Sequence, residues 1–223
     1  MKLQILPSLL AADFGRRSDE IRRAEASGAE ALHLDIMDPH FVPNISFGPD
    51  VVALSKRTAP SFYRNVHLMM RRPDLYAGKF VAAGAETVQI HVEADCDIHE
   101  TLAAIRALGA KCALVLNPET PVEIMRPYLG EIDEALVMTV HPGYGGQKFI
   151  RECLPKVSWL RERAPALDIM VDGGVNGETA VEAVLAGANQ LVAGSYLFAK
   201  EDMKAAVEKM RSDCIAAAKG ALE

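Results

Sequence analysis

Apolar residues along this chain gather into short unbroken runs, and several runs are reached through the same lead-in of a glycine, an alanine and a short gap. Gly28-Ala29, Gly84-Ala85, Gly109-Ala110 and Gly187-Ala188 each stand just before such a run. Stretches with helical spacing, such as 18–26 and 75–83, precede them. The pattern predicts a helix closed by a left-handed glycine and followed at once by a buried strand. The four glycines are 56, 25 and 78 residues apart, close to two, one and three copies of one unit. A strand, a helix and two short loops occupy about 25–28 residues. Eight such units fill the chain.

Strands are predicted over 3–6, 31–36, 62–68, 87–91, 112–116, 135–139, 169–171 and 190–193. Their apolar continuity is what parallel strands covered on both faces require. Eight strands alternating with helices fit a (β/α)₈ TIM barrel, in a single domain over 1–223, better than an open doubly wound sheet. Periodicity alone leaves the open sheet available. Polar residues at the ends of strands 2, 3, 6 and 7 favour the barrel, whose active sites gather at that face. The stretch from about 202 to 223 reads as a final helix without a functional signal.

Composition narrows the function classes without changing the fold. Half of the 223 residues are hydrophobic and 24% are charged, an ordinary globular balance. A net charge of −6 argues against nucleic-acid or anionic-membrane surfaces, which favour basic patches. Cys96, Cys112, Cys153 and Cys214 show no paired spacing and read as reduced thiols of a cytoplasmic protein. The apolar start of the chain is interrupted by Gln4, Pro7 and Asp13, too soon for a signal peptide. No run is long enough to cross a bilayer.

Candidate chemistry sits at the strand ends. His33 and Asp35, two apart on one strand, face the same side. His67 closes the next strand and Asp172 closes the seventh. In a closed sheet these two imidazoles and two carboxylates converge and could hold one Zn²⁺, Fe²⁺, Mn²⁺ or Co²⁺ while supplying an acid and a base. The bland alternative is hydrogen-bonded core histidines and helix-capping aspartates. Glycine clusters follow strands 6, 7 and 8: Pro142-Gly143-Tyr144-Gly145-Gly146, Asp172-Gly173-Gly174 and Gly194-Ser195. They let backbone N–H groups approach a phosphate, though turns needing positive φ would also use them. Met37, Met69 and Met138 also fall at strand ends, either as core filler or as polarizable, water-excluding contacts to a delocalised intermediate.

From near its start to about Phe198 the chain resembles the ribulose-phosphate 3-epimerase family. The resemblance rests on Pro7-Ser8-Leu9-Leu10-Ala11-Ala12-Asp13-Phe14, His33-Leu34-Asp35-Ile36-Met37-Asp38 and His40-Phe41-Val42-Pro43-Asn44. It continues through Val66-His67-Leu68-Met69, Leu116-Asn117-Pro118-Glu119-Thr120-Pro121, Pro142 to Gln147, Val171 to Gly174 and Ala193-Gly194-Ser195. It implies a (β/α)₈ barrel of the pentose phosphate pathway that interconverts D-ribulose 5-phosphate and D-xylulose 5-phosphate, and a homo-oligomer. Carried over by position, His33, Asp35, His67 and Asp172 bind one divalent metal per subunit, and Asp35 and Asp172 form the acid/base pair. Ser8, His67, Gly143, Tyr144, Gly145, Gly146, Asp172, Gly173, Gly174, Gly194 and Ser195 contact substrate or its phosphate. Inverting a carbon beside a ketone requires a proton removed from one face and another returned to the opposite face. Two carboxylates do this if one starts ionised and the other protonated.

Three positions depart from the family pattern. Pro39 stands in place of a glycine, Asn65 in place of an aspartate, and His141 in place of Asn or Asp. Pro39 and His141 are expected near the pocket, which keeps a six-carbon ketose phosphate such as D-allulose 6-phosphate as a rival substrate. A catalytically silent sugar-phosphate-binding barrel and a metal-free lyase are rivals of other classes.

Overall fold

The computed structural model describes residues 2–221. Eight parallel strands form one sheet: β1 (Gln4–Pro7), β2 (Ala31–Met37), β3 (Tyr63–Met69), β4 (Thr87–His91), β5 (Lys111–Leu116), β6 (Glu134–Met138), β7 (Asp168–Asp172) and β8 (Gln190–Ala193). Each strand from β2 to β8 is laddered to the next, and β8 pairs with β1. Between β1 and β2 a Ser8–His33 bridge and a hydrogen bond from Glu30 N to Ile5 O (3.1 Å) bring the sheet nearly to closure. The Glu30 carboxylate accepts from Ile5 N at 2.9 Å across the same gap and is held by Arg211. The fold is the expected (β/α)₈ barrel, and an open doubly wound sheet is ruled out.

The helices are α1 (Arg17–Ala26), α2 (Pro49–Thr58), α3 (Ala77–Ala83), α4 (Ile98–Ala107), α5 (Leu154–Arg163), α6 (Gly177–Leu185), α7 (Ser195–Phe198) and α8 (Met203–Gly220). The four lead-in glycines have φ between +78° and +115°, as helix-closing residues without a Cβ can. Two expectations shift. The helix anticipated over 75–83 starts at Ala77, because Pro73 opens a separate tight turn and Tyr76 (φ −123°) leaves helical geometry. The unit between β5 and β6 carries a 3₁₀ segment, Val122–Tyr128, where Pro127 removes an amide donor that an α-helix needs. The final helix is capped by Asp202, and its anticipated last residues, 222 and 223, lie outside the described residues.

Alternation along each strand separates two cores. Leu32, Leu34 and Ile36 of β2, like Val66 and Leu68 of β3, pack outward under the helices. The interior faces carry a smaller apolar set with Leu6, Val115, Leu136, Met138, Met170 and Val192. Interior side chains also include a polar layer, with Asn65, Thr87, Gln89 and Glu134 all buried. Helix-side burial therefore holds the barrel together, and the inward positions are free to carry chemistry. Among the described residues no helix is long and apolar enough to cross a membrane.

Candidate active site

Strand register assembles the site. β2 and β3 pair so that His33 faces Asn65 and Asp35 faces His67. β6, β7 and β8 carry Met138, Asp172 and Val192 to the same rim. One nitrogen from each histidine and one oxygen from each aspartate lie within 4.8 Å of one another. His33 Nε2 is 3.3 Å from Asp35 Oδ1 and 3.9 Å from Asp172 Oδ2. His67 Nδ1 is 3.2 Å from Asp35 Oδ1 and 3.9 Å from Asp172 Oδ2. The capping-aspartate reading fails, because both carboxylates aim at the barrel axis.

The donor set fits a divalent cation on an observation of its own. His33 Nε2 is buried and has no hydrogen-bond partner among the described residues, a costly state for a polar atom. Two nitrogens and two carboxylate oxygens around a shared centre are a suitable donor set for the divalent first-row metals. The electrostatics agree. Burial disfavours charge on the His33 ring, yet Asp35 and Asp172 outweigh it and raise its pKa. The centre thus draws positive charge toward itself.

The two carboxyls are driven apart in proton affinity. Burial would raise the Asp35 pKa, but the charge of the adjacent His33 outweighs it and holds the carboxyl well below the usual range. Ser8 Oγ also donates to Asp35 Oδ2 at 2.5 Å. Burial and the adjacent Asp35 charge push Asp172 the other way, so it retains a proton more readily. Two carboxyls of unequal proton affinity thus face a shared cavity, an arrangement suited to two-sided proton transfer.

Each histidine is anchored behind the site, through residues not among the expected site residues. His33 Nδ1 lies 2.9 Å from Asn65 Oδ1. His67 Nε2 lies 2.8 Å from His91 Nε2, and His91 Nδ1 lies 3.1 Å from Glu93 Oε2. A lone pair on His67 Nδ1 requires the ring proton on Nε2, where it donates to His91, which in turn donates to Glu93. Burial above all pushes the His67 pKa down to about 3, keeping the ring neutral at ordinary pH. An apolar run ending His91-Val92-Glu93 was the available sequence signal.

The cavity above the carboxylates is lined by Ser8, Met37, Met69, Met138, Gly143 to Gly146, Gly173, Gly174, Gly194 and Ser195, with Asp35 and Asp172 at its floor. All the anticipated contact residues line this cavity except His67, whose ring, like that of the anticipated metal ligand His33, is fully buried beneath. Leu10, Ala11, Val140, Gln147, Val175 and Val192 complete the wall and were not anticipated. Tyr144 Oη donates to Pro43 O (2.7 Å) and Asn44 Nδ2 donates to Gly143 O (2.7 Å), tying the loop after β6 to the loop after β2. Pro39 and His141 do not line the cavity. Pro39 is exposed in its turn, and His141 pairs with Glu119 at 2.9 Å on the rim, both far exposed.

Gly174 must be glycine. Its φ is +68°, and a Cβ there would stand 2.6 Å from the Phe149 backbone nitrogen. Gly174→Ala should lower stability by about 1–3 kcal/mol and raise KM for a phosphorylated substrate more than it lowers kcat. Thermal melts and steady-state kinetics on the variant check both effects.

Fold and site together define a (β/α)₈-barrel enzyme with a pair of opposed carboxylates at the C-terminal mouth of its strands. Residues 4–198 match the model of the ribulose-phosphate 3 epimerase family. The chain is 43% identical over 214 residues to ribulose-phosphate 3-epimerase of Bacillus subtilis (strain 168), covering 94% of this chain and 98% of that protein. It is 38% identical over 213 residues to ribulose-phosphate 3-epimerase of Escherichia coli (strain K12), covering 94% and 95%. The chain belongs to the ribulose-phosphate 3-epimerase family and is a carbohydrate epimerase, an isomerase. Among solved structures, 3-hexulose-6-phosphate synthase from Salmonella typhimurium superposes with a TM-score of 0.75 at 14% identity, over 96% of this chain and 100% of that one. At that identity it shows the shared barrel alone.

Proposed function

We propose that this epimerase interconverts D-ribulose 5-phosphate and D-xylulose 5-phosphate in a metal-dependent reaction. The observation that carries the reading is the opposition of Asp35 and Asp172 across one cavity, with opposite shifts in proton affinity. Asp35 takes the proton from C3 on one face, leaving an enediolate. Asp172 delivers its proton to C3 on the other face, and the two exchange roles in the reverse direction. A divalent cation held by His33, Asp35, His67 and Asp172 would supply Lewis-acid stabilisation of the negative charge developing on the substrate oxygens. Zn²⁺, Fe²⁺, Mn²⁺ and Co²⁺ all suit this donor set.

The remaining roles follow from position. Backbone N–H groups of Gly145, Gly146, Gly173, Gly174, Gly194 and Ser195 hold the phosphate without a basic side chain, which suits a chain of net charge −6. Ser8 keeps Asp35 oriented, and Gly143 and Tyr144 close the loop over the sugar. Met37, Met69 and Met138, all nearly buried, exclude water from the intermediate and give it polarizable contact. The chain is read as a single cytoplasmic domain that assembles as a homo-oligomer. Neither Pro39 nor His141 reaches the cavity wall, which removes the sequence argument for a six-carbon substrate.

The test is turnover of D-ribulose 5-phosphate and D-allulose 6-phosphate measured side by side on metal-loaded protein. The expected result is a kcat/KM for the five-carbon substrate at least about tenfold higher, a margin set by fitting the longer chain. Equal or reversed preference would reassign the substrate, and no turnover of either would leave a binding protein.

A further inference from the structure

The polar layer beneath the site holds a carboxylate that the proposed reaction leaves without a task. Glu134 points into the barrel from β6 and is only 3% exposed. Asn65 Nδ2 donates to Glu134 Oε2 at 2.9 Å, and Gln89 Nε2 donates to the same oxygen at 3.3 Å. Thr87 Oγ1 lies 3.4 Å from Glu134 Oε1. The other end of the Asn65 side chain, Oδ1, lies 2.9 Å from His33 Nδ1. Asn65 therefore spans the interior from the Glu134 carboxylate to the back of the histidine whose front nitrogen is unpartnered.

A primary amide can turn either end toward a neighbour, and the choice here has chemical consequences. With Oδ1 toward His33, the ring keeps its proton on Nδ1, and the Nε2 lone pair is the one that can meet a cation held between the carboxylates. With the NH₂ end toward His33, Nδ1 must accept, the proton moves to Nε2, and that lone pair is lost. Glu134 Oε2 accepts from both Asn65 Nδ2 and Gln89 Nε2, so Glu134 draws the NH₂ end of Asn65 to itself and leaves the oxygen for His33. We propose that Glu134 is a positioning residue for the metal centre, acting through Asn65 to fix the His33 tautomer. It thereby sets a carboxyl group, three strands away on β6, behind the position where the family pattern carries an aspartate. The inference rests on the proposed metal role of His33, and its test separates the two.

The test uses Glu134→Leu, Asn65→Asp and the double variant. Co²⁺ affinity is read by competition with a chromophoric chelator, and the His33 Nδ1 proton by ¹⁵N-edited NMR on metal-free and Zn²⁺-loaded protein. Glu134→Leu should weaken Co²⁺ binding about 10–100-fold, as losing an outer hydrogen-bond partner of a ligand does, and should lose the hydrogen-bonded Nδ1 proton signal. Asn65→Asp alone puts two buried carboxyls in hydrogen-bond contact, and should melt below both the parent and the double variant. The double variant places one carboxylate directly behind His33. It should recover the Nδ1 signal and bring Co²⁺ affinity back within about threefold of the parent. Unchanged affinity and an unchanged Nδ1 signal in Glu134→Leu would overturn the proposal, and so would a double variant that misfolds or binds no better. If the parent binds no Co²⁺, the metal reading fails, while the Nδ1 signal of the metal-free variants still decides whether Glu134 sets the tautomer.

Discussion

Asp172→Asn is expected to cut kcat/KM for epimerisation by about 10³–10⁴-fold, the scale of a general acid/base contribution. The C3 hydrogen should still exchange slowly with deuterated water. Asparagine keeps the size of the side chain but can neither carry nor return the proton. Asp35, on the opposite face, remains ionised, oriented by Ser8 and able to abstract. Abstraction without delivery to the other face returns the original stereochemistry with solvent hydrogen. The exchange readout also separates loss of the proton donor from loss of a cation ligand, since damage to the cation site would suppress exchange and inversion together. Product assay and ¹H NMR in deuterated water measure the two rates, and undiminished inversion would remove Asp172 from the chemistry.

Stripping the cation should have a comparable effect. Chelation is expected to lower turnover by about 10³-fold or more, given the several kcal/mol that Lewis-acid stabilisation supplies. One added divalent cation per chain should restore it. Stability should change character as well. In the metal-free protein Asp172 and His33 both have raised pKa values. Each thus contributes stability that is present below its unfolded-state value and lost as pH rises through the folded one. Asp35 is shifted down, so its contribution is present above the ordinary carboxyl value near 4 and lost in stronger acid. Below about pH 7 the losses from Asp172 and His33 are opposed by His67 and His91, whose lowered pKa values make their contributions grow as pH rises toward the ordinary His value. The metal-free protein should therefore melt at progressively lower temperature as pH rises from about 7 to about 9. The loaded protein should escape this decline, because the cation offsets the charge that deprotonation exposes. Melting curves across that range, with and without Zn²⁺, check the sign.

How much of this was legible in the sequence follows from the range of the interactions involved. Helix-closing glycines and outward-facing runs such as Leu32, Leu34 and Ile36 are local signals, and they located all eight strands to within a residue or two. The departures at Tyr76 and at Val122–Tyr128 arise where prolines interrupt helical spacing over only a few residues. Asp35, His67 and Asp172 were readable because each lies at or near the end of a strand, where barrel chemistry collects, and His33 because it shares a strand face with Asp35. The roles of Asn65, Glu93 and Glu134 were not, and His91, although it ends β4, was passed over. Their meaning depends on which strand lies across the barrel, and pairing register is invisible in a linear pattern. Asn65 was noticed as a departure, but its partner stands 69 residues away on β6.

The seam between β1 and β2 has a consequence for how the molecule holds its shape. Elsewhere continuous ladders join neighbouring strands, but here Glu30 lends its carboxylate to a backbone amide at the bottom, and Ser8 fastens to Asp35 at the top. The upper clasp is made by the same groups that face the substrate. The lower one is steadied by Arg211 of the last helix, so the two ends of the chain's course meet at its weakest join. Closing the cylinder and orienting the Asp35 carboxylate therefore rest on one contact. A barrel sprung along this line frees Asp35 from Ser8 and leaves the separate helix-side packing to hold the strands.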